Sequence, residues 1–160
     1  MRVLVTGHDG YIGTVLVPML QARGHEVVGY DNLLFRGCRF GVDKSHADRE
    51  QALDVRDIMP EHLEGIDAIA HLAGMSNDPA GDLSPDATYD VNWKASVRLA
   101  ELAKAAGIER FVFSSSCSVY GAHGDEPLDE SAEFLPVTPY GESKVFVERD
   151  VAALADDRFT

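Results

Sequence analysis

Arg2-Val3-Leu4-Val5-Thr6-Gly7-His8-Asp9-Gly10-Tyr11-Ile12-Gly13-Thr14-Val15-Leu16-Val17 is the stretch on which the reading of the 160-residue chain turns. A short β-branched run meets three glycines spaced three apart, and a helical pattern follows, so the stretch reads as strand, tight turn and helix. Such a turn brings backbone N–H groups up to a pyrophosphate, with the positive end of the helix behind it. Gly7 permits the turn, Gly10 the approach of the phosphates, and Gly13 close packing of helix on strand.

The helix is expected from about Tyr11 to Arg23, bent at Pro18 and stopped by Gly24. Glu26 to Tyr30 then forms a second strand ending on Asp31, which completes a right-handed βαβ unit with parallel strands. An acidic side chain at that strand end accepts hydrogen bonds from both hydroxyls of an adenosine ribose and repels a 2′-phosphate, so Asp31 favours NAD over NADP. Its plainer role is to cap a turn. Arg36 and Arg39 follow closely and keep NADP as a minor alternative.

Bulk properties narrow the class. With 45% hydrophobic and 26% charged residues the composition is that of a soluble globular protein, and the length suits one domain. A net charge of -13 argues against nucleic acid or an anionic membrane as partner. No apolar run approaches the roughly 20 residues that span a bilayer. The start runs straight into a strand, so no signal peptide is expected. Two cysteines, Cys38 and Cys117, make no disulfide framework, and the cytoplasm is the expected compartment. No metal site is expected.

Further along, residues 32–50 read as a loop, Gln51 to Leu53 as a short strand, and Asp54 to Leu63 as a turn of helix. Asp54 can hold an adenine amino group or simply cap that helix. Asp67 to Leu72 is a fourth strand, with Ala73-Gly74 letting the backbone pass close to the cofactor, and residues 75–84 read as an exposed loop. A long helix is expected over about 85–106. It carries Asn92, read as a structural hydrogen bonder or part of a proton path. Arg110 to Phe113 is a fifth strand running into Ser114-Ser115-Ser116-Cys117-Ser118-Val119-Tyr120-Gly121. Thr138 caps, and Pro139 opens, a last helix to about residue 155.

On that helix Tyr140 and Lys144 lie four apart and share a face. A free phenol has a pKa near 10 and is a poor base at neutral pH. A neighbouring ammonium favours the phenolate and makes proton transfer workable. Ser116, at the carboxyl end of the fifth strand, supplies a hydroxyl to the same substrate oxygen, where ligands of open parallel sheets sit.

These segments, with Asp31-Asn32-Leu33, Asp54-Val55-Arg56-Asp57, His71-Leu72-Ala73-Gly74, Asn92 and Tyr140-Gly141-Glu142-Ser143-Lys144, resemble the extended short-chain dehydrogenase/reductases, specifically the NAD-dependent nucleotide-sugar epimerase/dehydratase branch. The order and spacing match over nearly the whole chain. The resemblance implies a Rossmann-type, doubly wound parallel sheet carrying the N-terminal, NAD-binding part of an enzyme. It implies Tyr140 as catalytic acid/base, Lys144 as its partner and Ser116 as the group orienting the substrate hydroxyl. The implied cofactor contacts are Gly7, Gly10, Tyr11, Ile12, Gly13, Asp31, Asn32, Asp54, Val55, Leu72, Ala73, Gly74, Asn92, Ser114, Tyr140 and Lys144. Ser116, Cys117 and Ser118 face the substrate, expected to be a UDP- or dTDP-hexose; Tyr120 is structural.

Two departures bear on function. The family's dehydratases follow the catalytic hydroxyl residue with an Asp-Glu pair, and here Cys117-Ser118 stand there, so a 4-epimerase like UDP-glucose 4-epimerase is preferred over a dehydratase. A sugar or steroid-type dehydrogenase/reductase, or a non-catalytic NAD-binding fragment, is the alternative. Gly74 replaces the usual second alanine, a change expected to matter little. Members of the family run about twice as far, so the chain looks truncated before the last strands and the substrate lobe. By analogy, a homodimer is expected through the helices near 85–106 and 138–155.

Overall fold

The computed structural model describes residues 1–36, 47–124 and 127–160. Five strands form one parallel sheet in the order β3-β2-β1-β4-β5: β1 (Arg2–Thr6), β2 (Glu26–Asp31), β3 (Arg49–Ala52), β4 (Ala68–His71) and β5 (Arg110–Phe113). This is the expected doubly wound arrangement, with β1 central because its run Val3-Leu4-Val5 is apolar on both faces. Alternate residues serve opposite layers. Val3 and Val5 pack with Val17 of α1 (Gly13–Ala22) and Val27 on one face. Leu4 joins Ile69, Leu99 and Phe111 on the other. At the far edge, the Thr160 carbonyl accepts from the Phe111 N–H at 2.8 Å, and the Thr160 N–H donates to the Glu109 carbonyl at 3.0 Å.

Several expected boundaries move. β3 is Arg49–Ala52, not Gln51 to Leu53: it pairs only with β2 at the edge and every residue is exposed, so no hydrophobic pattern marks it. Two 3₁₀ turns, Val55–Asp57 and Pro60–Leu63, replace one continuous helical turn. The expected loop 75–84 contains a helix, α2 (Asp78–Leu83), capped by the Asn77 side chain on the Ala80 N–H with Pro79 in its first turn.

The helix expected over 85–106 is three pieces: α3 (Pro85–Thr88), a π-helical segment Tyr89–Lys94, and α4 (Ala95–Ala105). The last helix, α5 (Pro139–Ala152), ends earlier than 155 and is capped as expected by the Thr138 hydroxyl on the Gly141 N–H. No helix of the described residues is long and apolar enough to cross a membrane.

Candidate active site

The strand order reverses direction between β1 and β4, and the carboxyl ends of those strands open the crevice where an α/β sheet takes its ligand. Gly7 lies at φ +73°, which only glycine adopts freely, and its N–H donates to the Tyr30 carbonyl at 2.7 Å. A Cβ on Gly13 would collide with the carbonyl oxygens of Gly7 and His8, while one on Gly10 would meet only the Gly7 oxygen, at 3.2 Å. Gly7 and Gly13 are therefore demanded by the chain's own packing, whereas Gly10 opens outward. Tyr11 is 92% exposed and Ile12 54%. The Thr14 and Val15 N–H groups already donate to the Gly10 and Ile12 carbonyls, but no side chain caps α1 and no acidic residue lies in its first turn, so the positive dipole end is not offset by a local carboxylate. This cradle fits a pyrophosphate.

Asp31 at the end of β2 is held by two backbone donors: the Asp9 N–H at 3.1 Å and the Leu33 N–H at 2.7 Å. The carboxylate takes the plainer of its two expected roles, holding a turn. Leu33 has φ +61°, the only non-glycine residue in the left-handed region among those described, and the Asp31 bond helps hold it there. The Asn32 side chain turns back to the Leu34 N–H. Asp54 caps the first 3₁₀ turn: one oxygen accepts from the N–H and Nε of Arg56, the other from a guanidinium nitrogen, each at 2.9 Å. Arg56 holds the Asp54 carboxyl below the ordinary range. Val55 is buried beside it. Arg39 lies outside the described residues.

After β4, the Leu72 N–H donates to the Thr6 carbonyl and the Ala73 N–H to the Thr6 hydroxyl, which lays Leu72-Ala73-Gly74 against the glycine loop. Asn92 is buried in the π-helical segment with its amide fully engaged. Its oxygen accepts from the Met75 N–H at 2.7 Å, and its nitrogen donates to the Met75 carbonyl at 3.0 Å and the Ser143 hydroxyl at 3.3 Å. The side chain is a clamp between strand end and α5. Gly74 leaves room for the Asn92 amide: a Cβ there would lie 2.9 Å from the Asn92 oxygen, which accepts from the Met75 N–H.

The chemistry-bearing side chains come from β5's exit and α5. Ser116 is extended and caps a 3₁₀ turn, Cys117–Tyr120, accepting from the Ser118 N–H at 3.2 Å; its hydroxyl also meets that of Ser118 at 3.2 Å. Cys117 is exposed, and Tyr120 packs on Phe134 as a structural residue. Gly141 allows α5 to approach this turn, since a Cβ would lie 2.7 Å from the Ser118 carbonyl. Tyr140 and Lys144 are both buried. The Lys144 ammonium donates to the Ser114 carbonyl at 2.9 Å and sits 5.6 Å from the Tyr140 ring centre and 4.6 Å from that of Phe113. Burial pushes Lys144 down to about 8, opposed by Glu148.

Residues without a sequence-level role also shape this site. Gly81 of α2 lies against Tyr140, where a Cβ would come within 3.1 Å of the tyrosine's own. The Ser143 hydroxyl donates to the Tyr140 carbonyl at 2.7 Å. His71 is fully buried between Thr6 and Ser96. Only the small residues Gly and Ser at helical spacing hinted at the first two.

The NAD dependent epimerase/dehydratase family model matches residues 3–159. The chain belongs to that family. It is 37% identical over 152 residues to the UDP-glucose 4-epimerase of Rhizobium meliloti, covering 92% of this chain and 45% of that protein. Among solved structures, the UDP-glucose 4-epimerase of Stenotrophomonas maltophila, with bound NAD and formylated UDP-arabinopyranose, superposes with a TM-score of 0.82 at 35% identity, covering 97% of this chain and 48% of that one. An NAD-dependent NDP-hexosamine 5,6-dehydratase of tunicamycin biosynthesis gives the same TM-score at 29% identity, over 96% and 49%. The chain thus spans about half the length of these relatives. As in the family, the cofactor is NAD, and the scaffold is shared by epimerases and dehydratases.

Proposed function

We propose that this chain carries the cofactor and proton-transfer half of a nucleotide-sugar 4-epimerase acting on a UDP- or dTDP-hexose. The observation that supports this best is the buried Lys144 beside the Tyr140 ring, on a helix that packs closely on the turn capped by Ser116, together with an anion cradle and a fixed acidic residue. NAD, when bound, supplies a site that accepts a hydride from the sugar carbon and returns it. The remaining chemistry belongs to the chain. Ser116 orients the reacting hydroxyl. Tyr140 takes its proton and later gives it back, and the Lys144 cation favours negative charge on the phenol oxygen. Gly7, Gly10, Tyr11, Ile12 and Gly13 receive the pyrophosphate, Asp31 and Asn32 the adenosine ribose, and Asp54 and Val55 the adenine edge. Leu72 to Gly74, Asn92 and Ser114 line the nicotinamide end.

Cys117-Ser118 supply no carboxyl group for removing water from the sugar, which favours epimerisation over dehydration on a scaffold common to both. The exposed thiol of Cys117 suits a reducing cytoplasm. Two copies are proposed to pair through the outer faces of the π-helical and α4 region and of α5. Interconversion of UDP-glucose and UDP-galactose by the native protein carrying this chain tests the reading. Oxidised sugar accumulating in step with NADH would favour a dehydrogenase instead.

A further inference from the structure

His71 is the last residue of β4, fully buried, and the proposed reaction leaves it without a task. Its ring nitrogens have one partner each: Nδ1 meets the Thr6 hydroxyl at 2.6 Å and Nε2 the Ser96 hydroxyl at 2.7 Å. The direction of each bond follows from its neighbours. The Asn92 carbonyl can only accept, so the Ser96 hydroxyl hydrogen goes to it. Ser96 must then accept, so His71 carries its proton on Nε2 and presents a lone pair at Nδ1. Thr6 donates its hydrogen to that lone pair, and its oxygen accepts the Ala73 N–H at 3.3 Å. One neutral tautomer satisfies every member of the line.

The line's two ends matter more than its middle. At one end Ala73 packs on the glycine loop, where a Cβ on Gly7 would lie 2.8 Å from the Ala73 nitrogen. At the other, Asn92 sits in the π-helical segment and grips Met75 and Ser143, and Ser143 in turn bonds the Tyr140 carbonyl. π-helical turns inside α-helices are frequent at functional sites. The groups facing the imidazole are Thr6, Ser96, Phe111, Phe113 and, beyond Phe113, the Lys144 ammonium. Burial first and Lys144 second push His71 down to about 3, which favours the neutral ring at neutral pH.

We propose that His71 is a positioning residue: with Thr6 and Ser96 it forms a neutral, one-directional hydrogen-bond line that ties Ala73, behind the cofactor-facing loop, to the backbone of Asn92, whose side chain in turn grips Met75 and the helix carrying Tyr140. The proposal rests on the NAD-binding reading of this crevice and not on the identity of the sugar. A buried hydroxyl left unpaired costs its desolvation, so cutting the line loosens both ends.

The test is NAD titration of this chain and its variants, well below their melting temperatures. His71→Phe keeps a flat ring but no donor or acceptor, and its NAD dissociation constant is expected to rise about tenfold or more with helix content unchanged. Gln reproduces the Nε2–H end and Asn the Nδ1 end. His71→Gln should hold affinity within about threefold of wild type, because it keeps the arm to Ser96 and Asn92. If His71→Phe does not fold, Ser96→Ala and Thr6→Val each remove one hydroxyl of the line and the two bonds it makes, and each should weaken NAD binding by about threefold or more. Ring ¹⁵N shifts of His71 should report the Nε2–H form without titration from about pH 5 to about pH 8.

Wild-type affinity in His71→Phe, or in both hydroxyl variants, would overturn the proposal, as would a ring that gains a proton within that pH range. If wild type itself does not bind NAD, the reading of the crevice fails first and the proposal with it.

Discussion

The glycine loop and the Tyr140 helix serve one crevice and are made in opposite ways. The loop works by absence: Gly7 and Gly13 sit where a Cβ would strike neighbouring backbone, and Gly10 leaves a gap for a ligand. The helix works by presence: a tyrosine, a serine clamp and a lysine are packed inside, and the lysine is charged against the preference of its surroundings. A backbone cradle binds without storing strain in its side chains. A buried ammonium stores free energy that the fold alone does not require. Substitutions should therefore damage stability in the loop and relieve it in the helix.

The largest effect is expected from Gly13→Ala, whose methyl would overlap the Gly7 and His8 carbonyls. Backbone on both sides leaves little room to yield, so urea unfolding should show a loss of about 3 kcal/mol or more, or no folded protein. Lys144→Met should act the other way, stabilising the cofactor-free chain at neutral pH by about 1–3 kcal/mol while abolishing turnover.

The pH dependence has a definite sign. Folding lowers the Lys144 pKa from its ordinary value to about 8, so the unfolded chain binds more protons above that point. The Lys144 contribution to stability should thus increase with pH from about 8 towards about 10.4, and be flat in Lys144→Met. A wild-type curve that falls across that window relative to the variant's would contradict the buried-cation account.

Gly74→Ala is the intermediate case, because it adds a side chain where the two regions meet. The Asn92 oxygen must move away from Met75, and a loss of about 1 kcal/mol with weaker NAD binding is expected by calorimetry. Ser116→Ala should be smallest on stability, within about 1 kcal/mol since one capping bond is lost. Turnover should nevertheless drop about 10²-fold.

What could be read in the chain before its structure divides along the same line. The glycine spacing, Asp31 and the Tyr140/Lys144 pair are short-range patterns, and each takes its place at the crevice. β3 escaped accurate placement because its four residues are exposed, three of them polar, at a sheet edge. α2 carried a legible signal, Asn77-Asp78-Pro79, which was outweighed by the loop-like composition around it. The π-helical segment around Asn92 is invisible to helical periodicity. The Thr6–His71–Ser96 line joins residues 65 and 25 positions apart, so only the folded sheet brings them together. Those long-range polar contacts decide how firmly the legible residues are held.

The central claim is that Tyr140 moves a proton at a sugar hydroxyl while NAD takes the hydride. It is tested most directly by mixing the NAD-loaded native protein with UDP-glucose and following NADH fluorescence in a single turnover, for wild type and Tyr140→Phe. Wild type should show a transient NADH signal that decays as the epimer forms, and Tyr140→Phe should bind NAD equally well yet show that signal at least about 10²-fold more slowly. Equal rates in the two proteins would contradict the account.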